Sequence, residues 1–98
     1  LPHVLRACLA EAETALAELA VVTEVSDAAS PAARAQAFVD AVTDLIAKVG
    51  IAPTDPRIQS ADWTDVAHAA MDESDGYVSP RLLTKAEIMD TLEQITAR

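Results

Sequence analysis

Residues 30–50, SPAARAQAFVDAVTDLIAKVG, decide the fold of this chain. Ser30 and Pro31 form an amino-terminal helix signal, because the hydroxyl accepts a backbone amide and proline at the first helical position leaves none unpaired. Gly50 stands where a left-handed residue commonly ends a helix. Apolar side chains recur between these signals every three or four residues, which predicts one long amphipathic helix. They are Ala35, Phe38, Val39, Val42, Leu45, Ile46 and Val49.

The segment before this helix has the same period. Residues 3–23 carry apolar side chains at helical spacing over a broad face, which predicts a single first helix. The polar stretch EVSDAASP at residues 24–31 then predicts a connection. On the other side, residues 51–60 contain two prolines close together, so we expect an irregular bridge.

Two more helices are expected toward the carboxyl end. Ser60 or Asp62 can cap a third helix that runs through residue 72, and the TKAE stretch can open a fourth helix with a capping box of Thr84 and Glu87. The chain is therefore predicted to be all-α, with about four helices in one helical domain or subdomain, residues 1–98. The predicted core consists of Leu5, Leu16, Leu19, Phe38, Val42, Leu45, Ile46, Trp63, Val66, Ile88, Leu92 and Ile95.

Composition excludes several classes of partner. Sixteen acidic and seven basic residues give a formal charge of −9, which repels phosphate backbones and anionic lipid. We therefore expect no nucleic-acid or membrane partner. Cys8 is the only cysteine, so no disulfide can form within the chain, and a cytoplasmic location is expected. With only two glycines the chain contains neither a dinucleotide-binding fingerprint nor a phosphate-binding loop.

The stretch MDESDGYVSPRL, residues 71–82, has some features of a calcium-binding loop. With Gly76 at the required sixth position, Met71 and Leu82 occupy the first and twelfth, where an aspartate and a bidentate glutamate are needed. The residues that fit are Glu73, Asp75 and Val78. We therefore predict that the stretch is a connection between helices and not a calcium site.

The other candidate ligands are scattered. Asp65, His68 and Asp72 share one face of the third predicted helix, but this face is opposite its apolar stripe and is expected to be solvated. Cys8 lies among apolar positions and is expected in the core, and a single imidazole such as His3 makes no metal site. We therefore predict no catalytic, cofactor-binding or metal-binding residue within the chain.

Three stretches, in their order and spacing along the chain, resemble a known family. LPHVLR at residues 1–6, VGIAPTDPRI at 49–58 and SPRLLTKAEIMDTLEQI at 79–95 resemble the closing part of an iron-containing, group III alcohol dehydrogenase. The resemblance covers nearly the whole chain. It departs from the family pattern where Ala52 is inserted, where Asp75 falls near a frequent cysteine, and where Ser79 replaces an asparagine.

The resemblance implies a role within a longer enzyme. It implies an upstream nucleotide-binding domain, NAD(P), and a divalent metal, iron or zinc, held by upstream residues. No cofactor or metal is implied within this chain, because His3 matches a histidine of the family that is not a metal ligand. The chain is then an incomplete helical bundle, inactive alone, whose partners are the upstream nucleotide-binding and metal-binding parts, and the parent is expected to be a homo-oligomer.

One alternative stays open from sequence. An independent acidic four-helix module that binds other proteins has the same composition and pattern. A carrier protein is disfavoured, because no aspartate-serine pair is present for attachment of a prosthetic group.

Overall fold

The computed structural model describes residues 1–73, 76 and 80–97. Within these residues there is no strand, and one isolated parallel bridge joins Asp55 and Thr96. A short 3-10 turn, Ser60–Asp62, precedes the fourth helix. The all-α prediction is confirmed. The α-helices are α1 Pro2–Ala7, α2 Glu13–Val22, α3 Pro31–Lys48, α4 Trp63–Glu73 and α5 Lys85–Ile95.

The chain divides into two compact units, Leu1–Ile51 and Ala52–Arg98. The first unit contains α1, α2 and α3, with α2 and α3 forming a helical hairpin joined by residues 23–30. The second contains α4 and α5.

Helix α3 begins and ends as its sequence predicts. The Ser30 side chain accepts a hydrogen bond from the Ala33 amide at 3.4 Å, and Pro31 is the first helical residue. Gly50 adopts φ 82°. The Ile51 amide donates to the Ile46 carbonyl at 3.1 Å, a hydrogen bond that satisfies a carbonyl of the last helical turn.

The prediction of a single first helix is wrong. Helix α1 ends at Ala7, residues 8–12 form turns, and α2 begins at Glu13. No proline or glycine marks this break. On a straight helix Leu5 and Leu16 would be about 16 Å apart along the axis, whereas here Leu5 packs against the cluster that contains Leu16. Packing on α3 therefore outweighs local helix propensity.

The core of the first unit is built from small residues. Its cluster consists of Leu16, Ala17, Ala35 and Val39, with Leu5, Leu9, Ala12 and Phe38 packed against it. Alanine side chains let two helix axes approach closely, so the contact between α2 and α3 is centred on them and on Val39. A hydrogen bond of 2.9 Å from Arg6 Nη2 to Thr43 Oγ1 joins α1 to α3.

The predicted core is correct in part. Leu16 and Leu92 are buried, whereas Leu19, Leu45 and Val66 are 43%, 58% and 43% exposed, so their assignment to the core is wrong for this chain. These three side chains lie beside the rows of residues through which neighbouring helices contact each other, and not within those rows. The remaining predicted core residues are half-buried: Leu5, Phe38, Val42, Ile46, Trp63, Ile88 and Ile95. Cys8 is buried, as its place among apolar positions predicted. The buried residues that the prediction missed are Ala17, Ala20, Ala35, Val39 and Ala67.

In the second unit the connection before α4 is tied to the end of α5. The Asp55 amide donates to the Ile95 carbonyl at 2.7 Å, and Trp63 Nε1 donates to Thr96 Oγ1 at 3.0 Å. The Thr96 hydroxyl donates in turn to the Leu92 carbonyl at 2.6 Å. These hydrogen bonds join the irregular, proline-containing segment and the start of α4 to the end of α5.

The two predicted caps of the second unit have different outcomes. Thr84 and Glu87 form the predicted capping box at the start of α5. Neither Ser60 nor Asp62 accepts a capping hydrogen bond from a backbone amide among the described residues. A backbone hydrogen bond of 2.9 Å from the Asp62 amide to the Gln59 carbonyl closes the 3-10 turn instead.

Candidate functional site

An open groove of about 440 Å³ lies between the end of α2 and the start of α3. Its walls are mainly apolar, and Glu18 and Arg34 are its charged side chains. Such a surface can take up hydrocarbon, but it brings together no nucleophile and general base. The lining residues are Thr14, Ala17, Glu18, Val21, Val22, Pro31 and Arg34.

The Arg34 side chain forms hydrogen bonds with the connection between α2 and α3. Its Nη1 atom donates to the carbonyl oxygens of Ala28, at 2.5 Å, and Ala29, at 3.2 Å. Its Nε atom is buried and makes no hydrogen bond. Arg34 therefore closes the connection onto α3. Neither Arg34 nor Glu18 makes an ion pair within the described residues.

The ligands considered from sequence do not converge. Asp65, His68 and Asp72 are exposed on α4, His3 is half-buried on α1, and Cys8 is buried beyond the end of α1. Among residues 1–73, 76 and 80–97, no group of three histidine, cysteine or acidic side chains is placed to hold a metal ion. The absence of catalytic and ligand-binding residues from the chain stays a prediction.

The calcium-loop question lies partly outside the described residues, since Asp75 and Val78 are not among them. Met71 and Glu73 belong to the last turn of α4. Leu82 is 53% exposed in the connection before α5. The helical conformation of the stretch's first residues fits a helix end better than an ion-binding loop, which begins after a helix has ended.

An arginine ahead of α5 is the polar feature that sequence reasoning missed. Arg81 forms a bidentate ion pair with Glu87, with Nη1 at 2.8 Å from Oε1 and Nη2 bonded to Oε2. Glu87 also accepts the Thr84 amide at 3.1 Å. The Arg81 hydrogen bonds, followed by those of Thr84, hold the pKa of Glu87 well below its usual range, at about 2. A proline-arginine pair shortly before a capping box was the available signal.

A second ion pair closes the connection before α4. The Asp55 carboxylate accepts Arg57 Nη2 at 2.6 Å and the Arg57 amide at 2.9 Å. These hydrogen bonds lower the pKa of Asp55 to about 2. The Arg57 side chain is 88% exposed, so this pair shapes a surface turn and builds no cleft.

The described residues thus form an all-helical structure, in which the Arg81–Glu87 pair lies at the start of α5 and the Asp55–Arg57 pair closes a turn. A sequence model described as the Fe-containing alcohol dehydrogenase family, C-terminal, matches residues 1–96. The chain therefore belongs to the iron-containing alcohol dehydrogenase family, and it matches the C-terminal domain of that family. No curated protein and no solved structure matches the chain.

No helix within the described part of the chain has both the length and the apolar character needed to cross a bilayer.

Proposed function

We propose that this chain is the structural, carboxy-terminal helical portion of an NAD(P)-dependent and metal-dependent alcohol dehydrogenase, and that it is not catalytic alone. The match to the family's C-terminal domain over residues 1–96 carries the proposal. The parent enzyme would interconvert alcohols and aldehydes in the cytoplasm.

The residues present do not fit the metal or the dinucleotide that the family implies. A divalent metal in a catalytic site needs about three protein ligands. Among the described residues, no three histidine, cysteine or carboxylate side chains are placed to hold a metal ion. A dinucleotide needs backbone amides at a glycine-rich turn, and the chain has only two glycines. We therefore assign both groups to upstream parts of the parent and derive no reaction step from this chain.

Apolar surface supports the presence of a covering partner. Val4 on α1 and Val66 and Met71 on α4 are 40–43% exposed, and Leu82 before α5 is more exposed still. We interpret these exposed aliphatic side chains as surface that further structure covers. We propose that the upstream parts of the parent cover them, and that the parent is a homo-oligomer.

The test compares the intact polypeptide that contains residues 1–98 with the 98-residue chain. Both are supplied with iron or zinc, NAD or NADP, and a panel of primary alcohols, and formation of the reduced cofactor is followed by absorbance. We expect turnover by the intact polypeptide and none by the 98-residue chain. Turnover by the short chain, or failure of the intact polypeptide to bind either dinucleotide, contradicts the proposal.

A matched pair of variants tests the packing role. In the intact polypeptide Val66→Asp places a charge on the apolar side of α4 and should lower activity at least about tenfold, because burying an unpaired charge costs several kcal/mol. Thr64→Asp adds the same charge at an exposed position of the same helix and should leave activity near wild type. Equal activities for the two variants would show that α4 packs against nothing in the parent.

A further inference from the structure

The break between α1 and α2 lies in a stretch of sequence that favours helix. Residues 8–12, CLAEA, contain no proline, no glycine and no β-branched residue, and alanine, leucine and glutamate are among the strongest helix formers. Apolar side chains also continue at helical spacing across the break, from Val4 through Cys8 to Ala12. The local sequence therefore opposes the conformation that these residues adopt.

The backbone at the two ends of the break stays close to helical geometry. Cys8 has φ −96° and ψ 4°, and Ala12 has φ −101° and ψ 10°, so each angle differs from its helical value by about 50° at most. Helix α2 also begins without a side-chain cap. By contrast, the residues that cap α3 and α5, Ser30 and Thr84, are extended and each accepts a backbone amide. The start of α2 thus resembles an interrupted helix more than an independent one.

Hydrogen bonds of helical type persist within the break. The Ala12 amide donates to the Cys8 carbonyl at 2.9 Å, across four residues, and the Leu9 amide donates to the Arg6 carbonyl at 3.2 Å, across three. Ala10 is exposed, and its amide makes no hydrogen bond in the described part of the chain. A small rearrangement that lets the Ala10 amide donate to the Arg6 carbonyl would therefore make the helix continuous.

Contacts with the hairpin hold the break in place. Leu5 and Leu9 pack against its buried cluster, and Arg6 Nη2 donates to Thr43 Oγ1 on α3 at 2.9 Å, in an exposed position. Helix α1, which these contacts dock, has only six residues. A few contacts of modest size are therefore set against the helix propensity of residues 8–12.

We propose that residues 8–12 form a hinge with two states. In the docked state, which the structure shows, the helix is broken and α1 lies on α3. In the extended state residues 8–12 are helical, α1 and α2 form one helix, and α1 leaves α3. The side of the cluster on which Leu5 and Leu9 pack is then uncovered. A minor state of this kind is populated at about 0.1–10%.

The hinge can be biased from either side. Any group that binds Leu5 and Leu9 in competition with the cluster favours the extended state, whereas a stronger contact between α1 and α3 favours the docked state. This hinge goes beyond the proposed function and does not depend on it.

The first experiment undocks α1 in the intact polypeptide and measures amide hydrogen exchange residue by residue. Leu5→Asp places a charge against the apolar cluster, which is unfavourable, and should shift the hinge to the extended state. The Ala10 amide should then exchange at least about tenfold more slowly than in wild type, because it gains the Arg6 carbonyl as acceptor. Faster exchange throughout residues 2–12, as simple unfolding of α1 produces, or unchanged exchange at Ala10, would overturn the proposal.

The second experiment reads the hinge through Cys8, which is buried in the docked state. In the extended state position 8 lies about two helical turns before Leu16, beyond the contact with α3, so its thiol becomes accessible. Alkylation of Cys8 by a maleimide in the intact polypeptide, followed by mass spectrometry of the peptide that contains it, measures the rate. Variants that retain the cluster are used here, so that the test does not depend on the folding of Leu5→Asp.

Two substitutions of exposed cations form a matched pair in this experiment. Arg6→Met removes a hydrogen bond of the docked state and should raise the alkylation rate of Cys8 about threefold. Lys48→Met removes an exposed charge at the end of α3 and should leave the rate unchanged. Equal rates for the two variants would contradict the docking role of Arg6.

Substitutions at position 10 distinguish the hinge from other ways of exposing Cys8. Ala10→Pro removes no hydrogen bond from the docked state, but in a continuous helix its ring clashes with the carbonyl four residues earlier. It should lower the alkylation rate at least about fivefold below wild type, and Ala10→Gly should lower it about threefold. Rates equal to or above wild type in both variants would show that Cys8 is reached by another opening, and would overturn the proposal.

Discussion

Glu24 holds a left-handed backbone conformation, with φ 59°, just after α2. Its amide donates to the Val21 carbonyl and the Val25 amide donates to the Ala20 carbonyl, the hydrogen-bond pattern of a Schellman motif. Gly50 holds the equivalent position after α3 with the same pattern. Glycine at position 50 suits this conformation, whereas glutamate at position 24 does not, because a residue with a side chain is strained at positive φ.

Exchanging the residue types at these two ends should move stability in opposite directions. Glu24→Gly should stabilise the first unit by about 0.5–1 kcal/mol, and Gly50→Ala should destabilise it by about 1 kcal/mol. A Cβ atom at Gly50 meets no atom within 4 Å, so its cost arises from the backbone alone. Urea unfolding followed by circular dichroism measures both, and shifts of the same sign would contradict this account.

Two carboxylates make the stability of the folded chain depend on pH. Because the pKa values of Asp55 and Glu87 are lowered to about 2 in the folded chain, their stabilising effect is complete above about pH 4.5 and is lost as the pH falls toward 2. The double variant Asp55→Asn and Glu87→Gln should therefore lose less thermal stability than wild type between pH 5 and pH 2. If thermal stability falls equally with pH in the variant and in wild type, neither ion pair persists in solution.

At the scale of the elements, the contact between α2 and α3 concentrates on Val39, the largest side chain that is fully buried among the described residues. Val39→Ala should cost about 2 kcal/mol through lost burial and a residual cavity. Leu19→Ala removes a larger side chain from a half-exposed position, and its cost should stay below about 1 kcal/mol. Denaturant unfolding of both variants measures the difference, and a greater cost at Leu19 would contradict the packing described here.

In the second unit, one threonine joins the end of α5 to the start of α4. Thr96→Val should cost about 1 kcal/mol because the half-buried indole of Trp63 loses its acceptor. In a Trp63→Phe background the same substitution should cost less, since no indole is left unpaired. Equal costs in the two backgrounds, measured by thermal unfolding with circular dichroism, would show that the hydrogen bond contributes nothing.

At the scale of the whole molecule, we expect the 98-residue chain to bind neither the nicotinamide dinucleotides nor iron, zinc or calcium. Calorimetric titration with each ligand should show no dissociation constant tighter than about 10 μM, equivalent to roughly 7 kcal/mol. Tighter binding of calcium that is lost in Asp75→Ala would restore the calcium-loop interpretation of residues 71–82. Tighter binding of a dinucleotide would contradict the assignment of that site to upstream parts.

The sequence by itself determined the all-helical class, the boundaries of α3 and the start of α5. These features depend on local chemistry: a serine-proline start, a glycine in the left-handed region, and a threonine-glutamate capping box act within a few residues of chain. The stretches that resemble the family are of the same local kind, consisting of caps and turns. They therefore indicated the family that residues 1–96 match.

Only the tertiary structure decided where the first helix breaks and which side chains of each apolar stripe are buried. The interruption at residues 8–12 has no local signal, because Leu5 and Leu9 leave the line of α2 to contact a cluster that α3 completes. Alanine and leucine both count as apolar positions in a periodic pattern, so the pattern does not distinguish them. Which of them is buried depends on how closely two helix axes approach. This distance is a property of the pair of helices, and it placed Ala35 in the core and Leu45 in solvent.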